Sequence, residues 1–212
     1  MSEAANFLTR SFEAVLDAVY PPQCAVCGQP GPAICAPCVR QMSPNPPDWQ
    51  ANGAISYSVT LFAYEGPAAL AVRRLKYERI TSLAMPMSDL LAKRADEFHL
   101  LEGAEVVPVP IHWTRKCQRG FNQAELLAER IPGKICLALA RTRATRPQAG
   151  LSTAERRRDL DDAFGTTCDV RGRRFLLVDD VLTTGQTAQA CAKVLLAAGA
   201  LDVGVLAFAG NP

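Results

Sequence analysis

The segment FLLVDDVLTTGQT, residues 175–187, runs four apolar residues directly into two acids. The apolar run predicts a buried strand, and a charge beside a core is costly unless a partner compensates it. The segment TAQACAKVLLAAG that follows predicts a helix that stops at Gly199. A strand, a loop and a helix in this order are typical of α/β proteins, which bind ligands at the carboxyl ends of their strands. We therefore predict that Asp179 and Asp180 lie in a binding site.

The loop between this strand and this helix carries the chemistry of a phosphate site. A glycine lets a ligand approach the backbone closely, and the first turn of the helix directs free N–H groups at the same point. Carboxylates suit sugar hydroxyls or a magnesium ion. Phosphate and polyol together indicate a ribose 5-phosphate; the alternative is an ordinary strand followed by a capped helix. The candidate phosphate-binding residues are Thr183, Thr184, Gly185, Gln186 and Thr187.

Strand-like and helical patterns alternate along the rest of the chain. Strands are predicted at AISYSVTLFAY, AEVVPVP and DVGVLAFA, and a helix at NQAELLAERI, whereas ICLALA fits a short strand or a helix. The first residues fit one amphipathic helix that ends at Pro21-Pro22. Strands that alternate with helices predict an α/β fold, a mostly parallel sheet with helices on both faces.

Four cysteines precede this sheet as two C-x2-C pairs, in CAVCGQPGPAICAPC. Two such turns complete a closed tetrahedral shell of sulfurs, which predicts a small structural zinc knuckle; a dithiol redox site or two disulfides are the alternatives. Its ligands would be Cys24, Cys27, Cys35 and Cys38. The proline-rich linker SPNPPDW then suggests a boundary between residues 1–48, with the knuckle, and residues 49–212, with the sheet. Cys136 and Cys191 are interpreted as core thiols.

Charge and hydropathy indicate the compartment in which the protein acts and the kind of partner that it suits. No segment approaches the roughly 20 apolar residues that cross a membrane, and the acidic start does not resemble a signal peptide. With its eight cysteines, the chain therefore fits a reducing compartment, and we expect a cytoplasmic protein without membrane insertion. Residues 113–174 carry 14 Lys or Arg against 7 Asp or Glu. This surplus suits phosphate-bearing partners, although a solvated face has the same composition.

The segment LLVDDVLTTGQT resembles the phosphoribosyl pyrophosphate (PRPP) signature of type I phosphoribosyltransferases. Three further features resemble the ComF/GntX family of competence-associated, phosphoribosyltransferase-like proteins. These are the four-cysteine knuckle, the block VPVPIHWTRKCQRGFNQAELLA, and the block RPQAGLSTAERRRDLDDAF. Together they cover nearly the whole chain, and the resemblance implies a type I phosphoribosyltransferase fold behind the knuckle.

The resemblance also implies roles for individual residues. Asp179 and Asp180 would hold the ribose hydroxyls of PRPP, bound with Mg²⁺, and residues 183–187 would surround its 5-phosphate. Residues 112–123 would form the loop that contacts pyrophosphate, with Arg115, Arg119, Gly120, Asn122 and Gln123 as candidates. Residues 141–164 would form a mobile lid that includes Gln148 and Arg156. Asp159 stands where the family has Asn, and Lys76 matches a family lysine whose role the sequence leaves open.

Three functions are compatible with these features. The first is a competence accessory that binds zinc and PRPP and acts in the uptake or use of single-stranded DNA, alongside a competence helicase or other DNA-processing proteins. The second is an active phosphoribosyltransferase of nucleotide salvage or synthesis, for which the sequence identifies no acceptor and no catalytic residue. The third is a non-catalytic PRPP-sensing regulator. Fold alone does not separate them, because function depends on the site.

Overall fold

The computed structural model describes residues 21–142 and 163–211, so the predicted N-terminal helix and the predicted lid residues Gln148, Arg156 and Asp159 lie outside the described part. Four parallel strands form the central sheet in the order β1-β6-β5-β2. Their bounds are β1 Tyr57–Ala63, β2 Ala104–Pro108, β5 Arg174–Leu182 and β6 Asp202–Gly210. Strands β3 Leu139–Arg141 and β4 Phe164–Thr166 form a separate antiparallel pair.

Helices pack on both faces of the central sheet, as the sequence predicts. The described helices are α1 Ala36–Arg40, α2 Gly66–Arg73, α3 Ala84–Glu97, α4 Trp113–Arg119, α5 Gln123–Ala128 and α6 Gln186–Ala197. A π-helical turn, Arg74–Glu78, continues α2, and a 3₁₀ turn, Thr81–Leu83, precedes α3.

Two apolar layers hold these elements against the sheet. Helices α2, α3 and α5 pack on one face, where Leu91 and Leu127 meet Leu176 and Leu206. Helix α6 and the β3–β4 pair pack on the other face around Phe175. Each fully buried leucine contributes about 1.5–3 kcal/mol. The parallel strands are buried on both faces, which explains why their sequences are continuous apolar runs rather than alternating patterns.

Helix α6 forms where its apolar residues recur at helical spacing. Ala188, Cys191, Ala192 and Leu195 are all buried on its sheet-facing side. The helix ends at Ala197, and Gly199 follows with a φ of +99°, a conformation that suits glycine. The predicted stop and the predicted core position of Cys191 are both confirmed.

The four-cysteine segment packs onto the main sheet rather than apart from it. Cys24, Ile34 and Cys38 belong to the same buried cluster as the α2, α3 and α5 face. The Arg74 guanidinium also donates a hydrogen bond to the Ala25 carbonyl. The boundary after residue 48 stays a prediction, but residues on both sides of it share one apolar layer. Within the described ranges, no helix has the length and apolar character needed to cross a bilayer.

Candidate functional site

The two acids lie in the carboxyl-terminal half of β5, which continues through Val181 to Leu182, near the edge at which parallel sheets bind ligands. Asp180 is only 4% exposed, and Asp179 is half-buried. The Asp180 N–H donates a hydrogen bond to Asp179 Oδ1 at 2.8 Å. Two adjacent carboxylates therefore share one small region, and their repulsion must be offset by a nearby cation.

Lys76 supplies that cation from the π-helical turn. Its Nζ lies 2.8 Å from Asp180 Oδ1, and the two side chains are 20% and 5% exposed. Burial by itself would lower the pKa of Lys76, but the carboxylate of Asp180 outweighs burial, and the pKa is raised. π-Helical turns inside helices often occur at functional sites, because the extra residue redirects a side chain. The structure thus places Lys76 beside Asp180, whereas its match to the family lysine left its role open.

Asp179 is held in an environment that opposes its ionisation. Burial and the neighbouring Asp180 raise the pKa of Asp179 to about 8, although Lys76 and the Asp180 N–H act in the opposite direction. A carboxyl group with such a pKa changes its protonation state near neutral pH. A ligand that favours the carboxylate therefore displaces a proton when it binds.

The hydroxyl-rich loop enters α6 with the geometry of an anion site. Gly185 caps the helix with a φ of +67°, so the backbone turns sharply where the helix begins. Helix α6 is 12 residues long, and its first N–H groups have no partner within the helix. A cavity of about 860 Å³ opens beside this turn and is lined by Thr183, Thr184, Gly185 and Gln186.

This cavity extends away from the two acids. Its far wall is formed by the linker around Asn45 and Asn52 and by the outer side of α6 at Gln189. Gln189 fixes this wall, since its Oε1 accepts from the Ala54 N–H at 2.9 Å and its Nε2 donates to the Asn52 carbonyl. Asp179 and Asp180 are not among the described lining residues. The loop therefore lies between the acids and the cavity.

The predicted pyrophosphate loop contains a helix, α4, which the sequence analysis did not predict. The His112 Nδ1 accepts from the Thr114 N–H at 3.3 Å and so caps the helix N-terminus. None of the residues of α4 is buried. A helix without a buried face has no apolar periodicity, so the pattern could not reveal it.

Arg119 and Arg115 project from this helix in different environments. The Arg119 guanidinium donates to Gln123 Oε1 at 2.9 Å and lies 5.4 Å from the centre of the Tyr77 ring. Arg115 is exposed. Arg79, which follows the π-helical turn, donates to the Gln118 carbonyl. The turn that carries Lys76 is thus tied directly to the basic helix.

Gly120 and Asn122 shape the end of this segment. Gly120 has a φ of +87° and ends α4, while its N–H donates to the Lys116 carbonyl at 2.7 Å. Buried Asn122 caps α5 through the Ala124 N–H, and its Nδ2 donates to the Val109 carbonyl at 3.1 Å. Both residues therefore help to set the position of α4 and α5 relative to the end of β2.

Arg141 is a site residue that the sequence analysis treated only as the start of the lid. It ends β3 and is half-buried, with its guanidinium 5.2 Å from the centre of the Phe164 ring. Burial and the charge of Arg115 lower the pKa of Arg141, whereas Cys191 and Asp179 act in the opposite direction. Arg141 is therefore close enough to both Asp179 and Arg115 for their charges to act on it.

The four predicted zinc ligands meet at one point. Their sulfurs all lie within 4.8 Å of one another. The Cys24–Cys38 and Cys27–Cys35 Sγ separations are 3.8 and 3.7 Å. A tetrahedron with Zn–S bonds of about 2.3 Å has edges of about 3.8 Å, so the cluster has the size that zinc requires.

Backbone groups favour a thiolate at Cys24, whereas burial and the neighbouring cysteines raise the pKa of Cys38. Cys24 Sγ accepts from the Cys35 N–H at 3.3 Å and from the Val26 N–H at 3.4 Å. Burial would raise the pKa of Cys24, but the N–H groups of Cys27, Cys35 and Val26 lower it to about 6. Such second contacts orient metal ligands and stabilise their charge. The residues present therefore fit a structural Zn²⁺ ion.

The interpretation of Cys136 as a core thiol is wrong. Cys136 is only half-buried, and its sulfur lies 3.8 Å from that of exposed Cys168. The error arose because the two residues are far apart in the sequence, whereas the pairing of β3 with β4 brings them together.

Comparison with known proteins identifies relatives over most of the chain. Residues 117–212 match the phosphoribosyl transferase domain family. The chain is 36% identical over 193 residues to the DNA utilization protein YhgH of Escherichia coli O157:H7, covering 86% of this chain and 81% of that protein. It is 29% identical to competence protein F of Haemophilus influenzae, covering 89% and 84%. It is 26% identical to competence protein ComFC of Bacillus subtilis, covering 83% and 72%.

Proposed function

The chain belongs to the ComF/GntX family, and on that basis we propose that it binds PRPP with Mg²⁺ and acts in the uptake or use of single-stranded DNA. The observation that carries the PRPP part is the arrangement at the end of β5. Paired acids lie shortly before β5 ends at Leu182, a short Thr-Thr-Gly loop follows, and the N-terminus of a 12-residue helix begins at Gln186. Carboxylates accept hydrogen bonds from sugar hydroxyls, and helix N-termini bind phosphate.

In this proposal the Lys76–Asp180 ion pair is kept when PRPP binds. Lys76 contacts Asp180 through Oδ1, whereas a carboxylate accepts about four hydrogen bonds in total. The ribose hydroxyls would therefore share Asp180 with Lys76 and would bind the ionised form of Asp179. Thr183 to Thr187 would surround the 5-phosphate, with the N–H groups of the first turn of α6 directed at its oxygens.

The cations on the other side of the acids would bind the pyrophosphate. Arg115 and Arg119 come from α4, and Arg141 comes from β3, so positive charge converges from two elements. Guanidinium groups make paired hydrogen bonds to phosphate oxygens. Mg²⁺ bound with PRPP would neutralise charge on the departing pyrophosphate. Gln148 and Arg156 would join from the predicted lid.

The DNA part of the proposal rests on the relatives and on charge. YhgH is named for DNA utilization and competence protein F for competence. Residues 113–174 of this chain carry 14 Lys or Arg against 7 Asp or Glu, which suits a phosphate backbone. We propose that the protein acts in the cytoplasm, where a competence helicase or another DNA-processing protein would be its partner.

Titration calorimetry tests the PRPP site. The wild-type chain should bind PRPP in the presence of Mg²⁺, and Asp179→Asn/Asp180→Asn should abolish the binding heat. The matched control is Asp89→Asn/Asp96→Asn, which removes two exposed carboxylates of α3 and should leave binding unchanged. Thermal unfolding of each variant establishes that it is folded. Unchanged binding in the Asp179/Asp180 variant would refute the assignment.

Filter binding of labelled single-stranded DNA tests the second part. Binding should weaken as salt is raised and should weaken further when Arg156, Arg157 and Arg158 become Ala, because fewer counterions are then released. Lys93→Ala/Arg94→Ala, on α3 outside the basic segment, is the control. If the wild-type chain does not bind DNA even at low salt, direct contact is ruled out and only a partner-mediated role survives.

An active phosphoribosyltransferase is the second candidate, and the positive charge that approaches the acids from α4 and β3 favours it. Arg119 and Arg141 would stabilise the charge of a departing pyrophosphate there. An acceptor base or amine would have to bind on the side of the acids, because the cavity of about 860 Å³ adjoins the turn proposed for the 5-phosphate. Release of pyrophosphate with one member of a panel of bases and amines would establish catalysis, whereas PRPP binding without release would favour the non-catalytic regulator.

A further inference from the structure

A second pair of cysteines lies on the side of the molecule where β3 meets the sheet. Cys136 lies beside the edge strand β2, and its N–H donates a hydrogen bond to the Val106 carbonyl at 2.8 Å. Cys168 follows β4, and its sulfur lies 3.8 Å from that of Cys136. Among the described residues, neither belongs to a group of three or more potential metal ligands, so this pair is chemically separate from the zinc cluster.

One guanidinium contacts both sulfurs. Arg173 Nη2 lies 3.3 Å from Cys136 Sγ, and Nη1 lies 3.8 Å from Cys168 Sγ. The guanidinium is fixed from behind, since Arg173 Nε donates to Glu105 Oε1 at 2.9 Å and Nη1 donates to the Asp169 carbonyl. A fixed positive charge beside a thiol favours the thiolate, which is the reactive form.

We propose that Cys136 and Cys168 form a redox-active dithiol that closes to a disulfide by exchange with a low-molecular-weight disulfide. The Cys168 thiolate attacks one sulfur of the small disulfide, which breaks its S–S bond and releases one small thiol. The Cys136 thiol then loses its proton and attacks Cys168 Sγ, which releases the second small thiol. Two protein thiols are oxidised and one small disulfide is reduced to two thiols, so electrons and protons balance.

Exposure and charge assign the order of these two steps. Cys168 is exposed and accessible to a small disulfide, whereas Cys136 is half-buried. Burial raises the pKa of Cys136, although Arg173 acts in the opposite direction, so Cys136 is the weaker nucleophile for an external reagent. It is nevertheless adjacent to Cys168, and closing a separation of 3.8 Å to a bond of about 2.05 Å requires a movement of less than about 2 Å.

The disulfide would link the segment that precedes β3 to the segment that follows β4. β3 precedes residues 143–162 and β4 follows them, and Cys136 and Cys168 lie 32 positions apart on the outer sides of these strands. A disulfide here would hold the two strands together at the edge of β2. This inference depends on the thiols and on Arg173 alone, and it does not require PRPP to be the ligand.

Peptide mapping of the full-length, zinc-loaded chain tests the proposal. After equilibration with glutathione and glutathione disulfide, acid quenching and alkylation, mass spectrometry should find a Cys136–Cys168 linked peptide whose fraction rises with the disulfide ratio. Cys136→Ser should instead accumulate glutathione on Cys168, because the second step is removed. Cys117→Ser, which alters an exposed cysteine elsewhere, should leave the linked peptide unchanged.

The role of Arg173 is tested by the rate of the first step. Arg173→Gln should slow the reaction of Cys168 with glutathione disulfide by at least about threefold, because the guanidinium that contacts the reacting sulfur is removed. Arg171→Gln is the matched control, since Arg171 is exposed and pairs with Asp169 rather than with a thiol. Separate glutathione adducts on Cys136 and Cys168, without a linked peptide at any ratio, would overturn the proposal. Equal rates in the two arginine variants would overturn the role of Arg173.

Discussion

The cysteine cluster and the acidic end of β5 differ in how the repulsion between their ionised groups is offset. Each gathers groups that repel one another when ionised and that are partly removed from water. Within the part of the chain that the structure describes, the four sulfurs are hydrogen-bonded to one another and to backbone N–H groups, and their spacing matches the dimensions of a metal site. The acids instead have Lys76, whose Nζ is 2.8 Å from Asp180. The first site needs an external cation to be stable, whereas the second carries its own.

This difference also separates a structural site from a binding site. A closed shell of four thiolates leaves no position for a further ligand. The acidic pair lies at an open sheet edge, and the positive charges around it come from the π-helical turn after α2, from α4 and from β3. An internal cation offsets the charge of the acids without occupying the first turn of α6, where we propose that phosphate binds. The two sites should therefore depend on their cations to different extents.

Loss of the external cation should have the largest effect. Structural zinc contributes about 10–16 kcal/mol of apparent binding free energy in small zinc domains. Cys24→Ser/Cys27→Ser should therefore reduce the metal content from about one zinc ion per chain to nearly none. It should also lower Tm by more than about 10 °C, because Cys24 and Cys38 lie in the main apolar layer.

Metal analysis and calorimetry measure both quantities. Cys117→Ser is the matched control, as it removes one exposed thiol outside the cluster and should change neither. Undiminished zinc in the double variant would mean that the metal binds elsewhere, and the comparison between the two sites would fail.

Loss of the internal cation should have a smaller effect. Lys76→Met should lower the free energy of unfolding by about 3 kcal/mol, because Asp180 is then a buried charge without its partner. Lys93→Met removes an exposed lysine 3.9 Å from Glu97 and should cost less than about 1 kcal/mol.

Urea unfolding measures this loss of stability, and a double variant separates the contribution of Lys76 from that of Asp180. The double variant Lys76→Met/Asp180→Asn should recover part of the loss, since it removes the charge that Lys76 no longer neutralises. If the single and double variants are equally destabilised, the ion pair is not the source of the effect.

The protonation of Asp179 should produce a graded effect of pH. Its pKa is about 8 in the folded chain and 3.8 as the ordinary value, so the folded chain retains a proton that the unfolded chain releases. The stabilisation from this proton is complete below about pH 4 and is lost as the pH rises towards about 8. The free energy of unfolding should fall across this window, by at most about 1.4 kcal/mol per pH unit.

Asp179→Asn isolates this contribution from those of other titrating groups. The difference in free energy of unfolding between wild type and Asp179→Asn should grow in favour of the variant between about pH 4 and about pH 8. A difference that does not vary with pH would show that Asp179 ionises normally.

The smallest effect is expected at the phosphate-binding turn. Gly185 has a φ of +67°, and an added Cβ would lie 3.8 Å from Leu182 Cδ1, which is an ordinary contact. Gly185→Ala should therefore cost only about 1 kcal/mol, from backbone strain. Gly185→Asn should cost less, because asparagine adopts this conformation more readily. A cost above about 3 kcal/mol would mean that the side chain clashes.

The sequence predicts the main residues of both sites, because each set of residues lies within one short segment of the chain. The cysteine ligands lie within one short segment, so their separation along the chain nearly determines their separation in space. β5 and α6 are likewise adjacent, and the apolar run, Gly185 and Gly199 define them directly. The position of the acids at a strand end was therefore predictable.

What escaped prediction comes from distant segments or from surfaces without apolar periodicity. Lys76 reaches Asp180 only because α2 packs on β6, beside β5. Helix α4 has no buried residue, so its segment WTRKCQR carries no helical pattern. Cys136 and Cys168 meet through antiparallel pairing, which spacing alone does not reveal. In each case the missing information is which elements become neighbours.

The central claim is that the acids at the end of β5 bind the sugar of PRPP while the first turn of α6 binds its phosphate. A crystal structure of the chain with PRPP and Mg²⁺ tests this most directly. We expect ribose hydroxyls within hydrogen-bond distance of Asp179 and Asp180, and the 5-phosphate against the N–H groups of residues 184–187. PRPP bound elsewhere, with no ribose hydroxyl at Asp179 or Asp180 and no phosphate at α6, would contradict it.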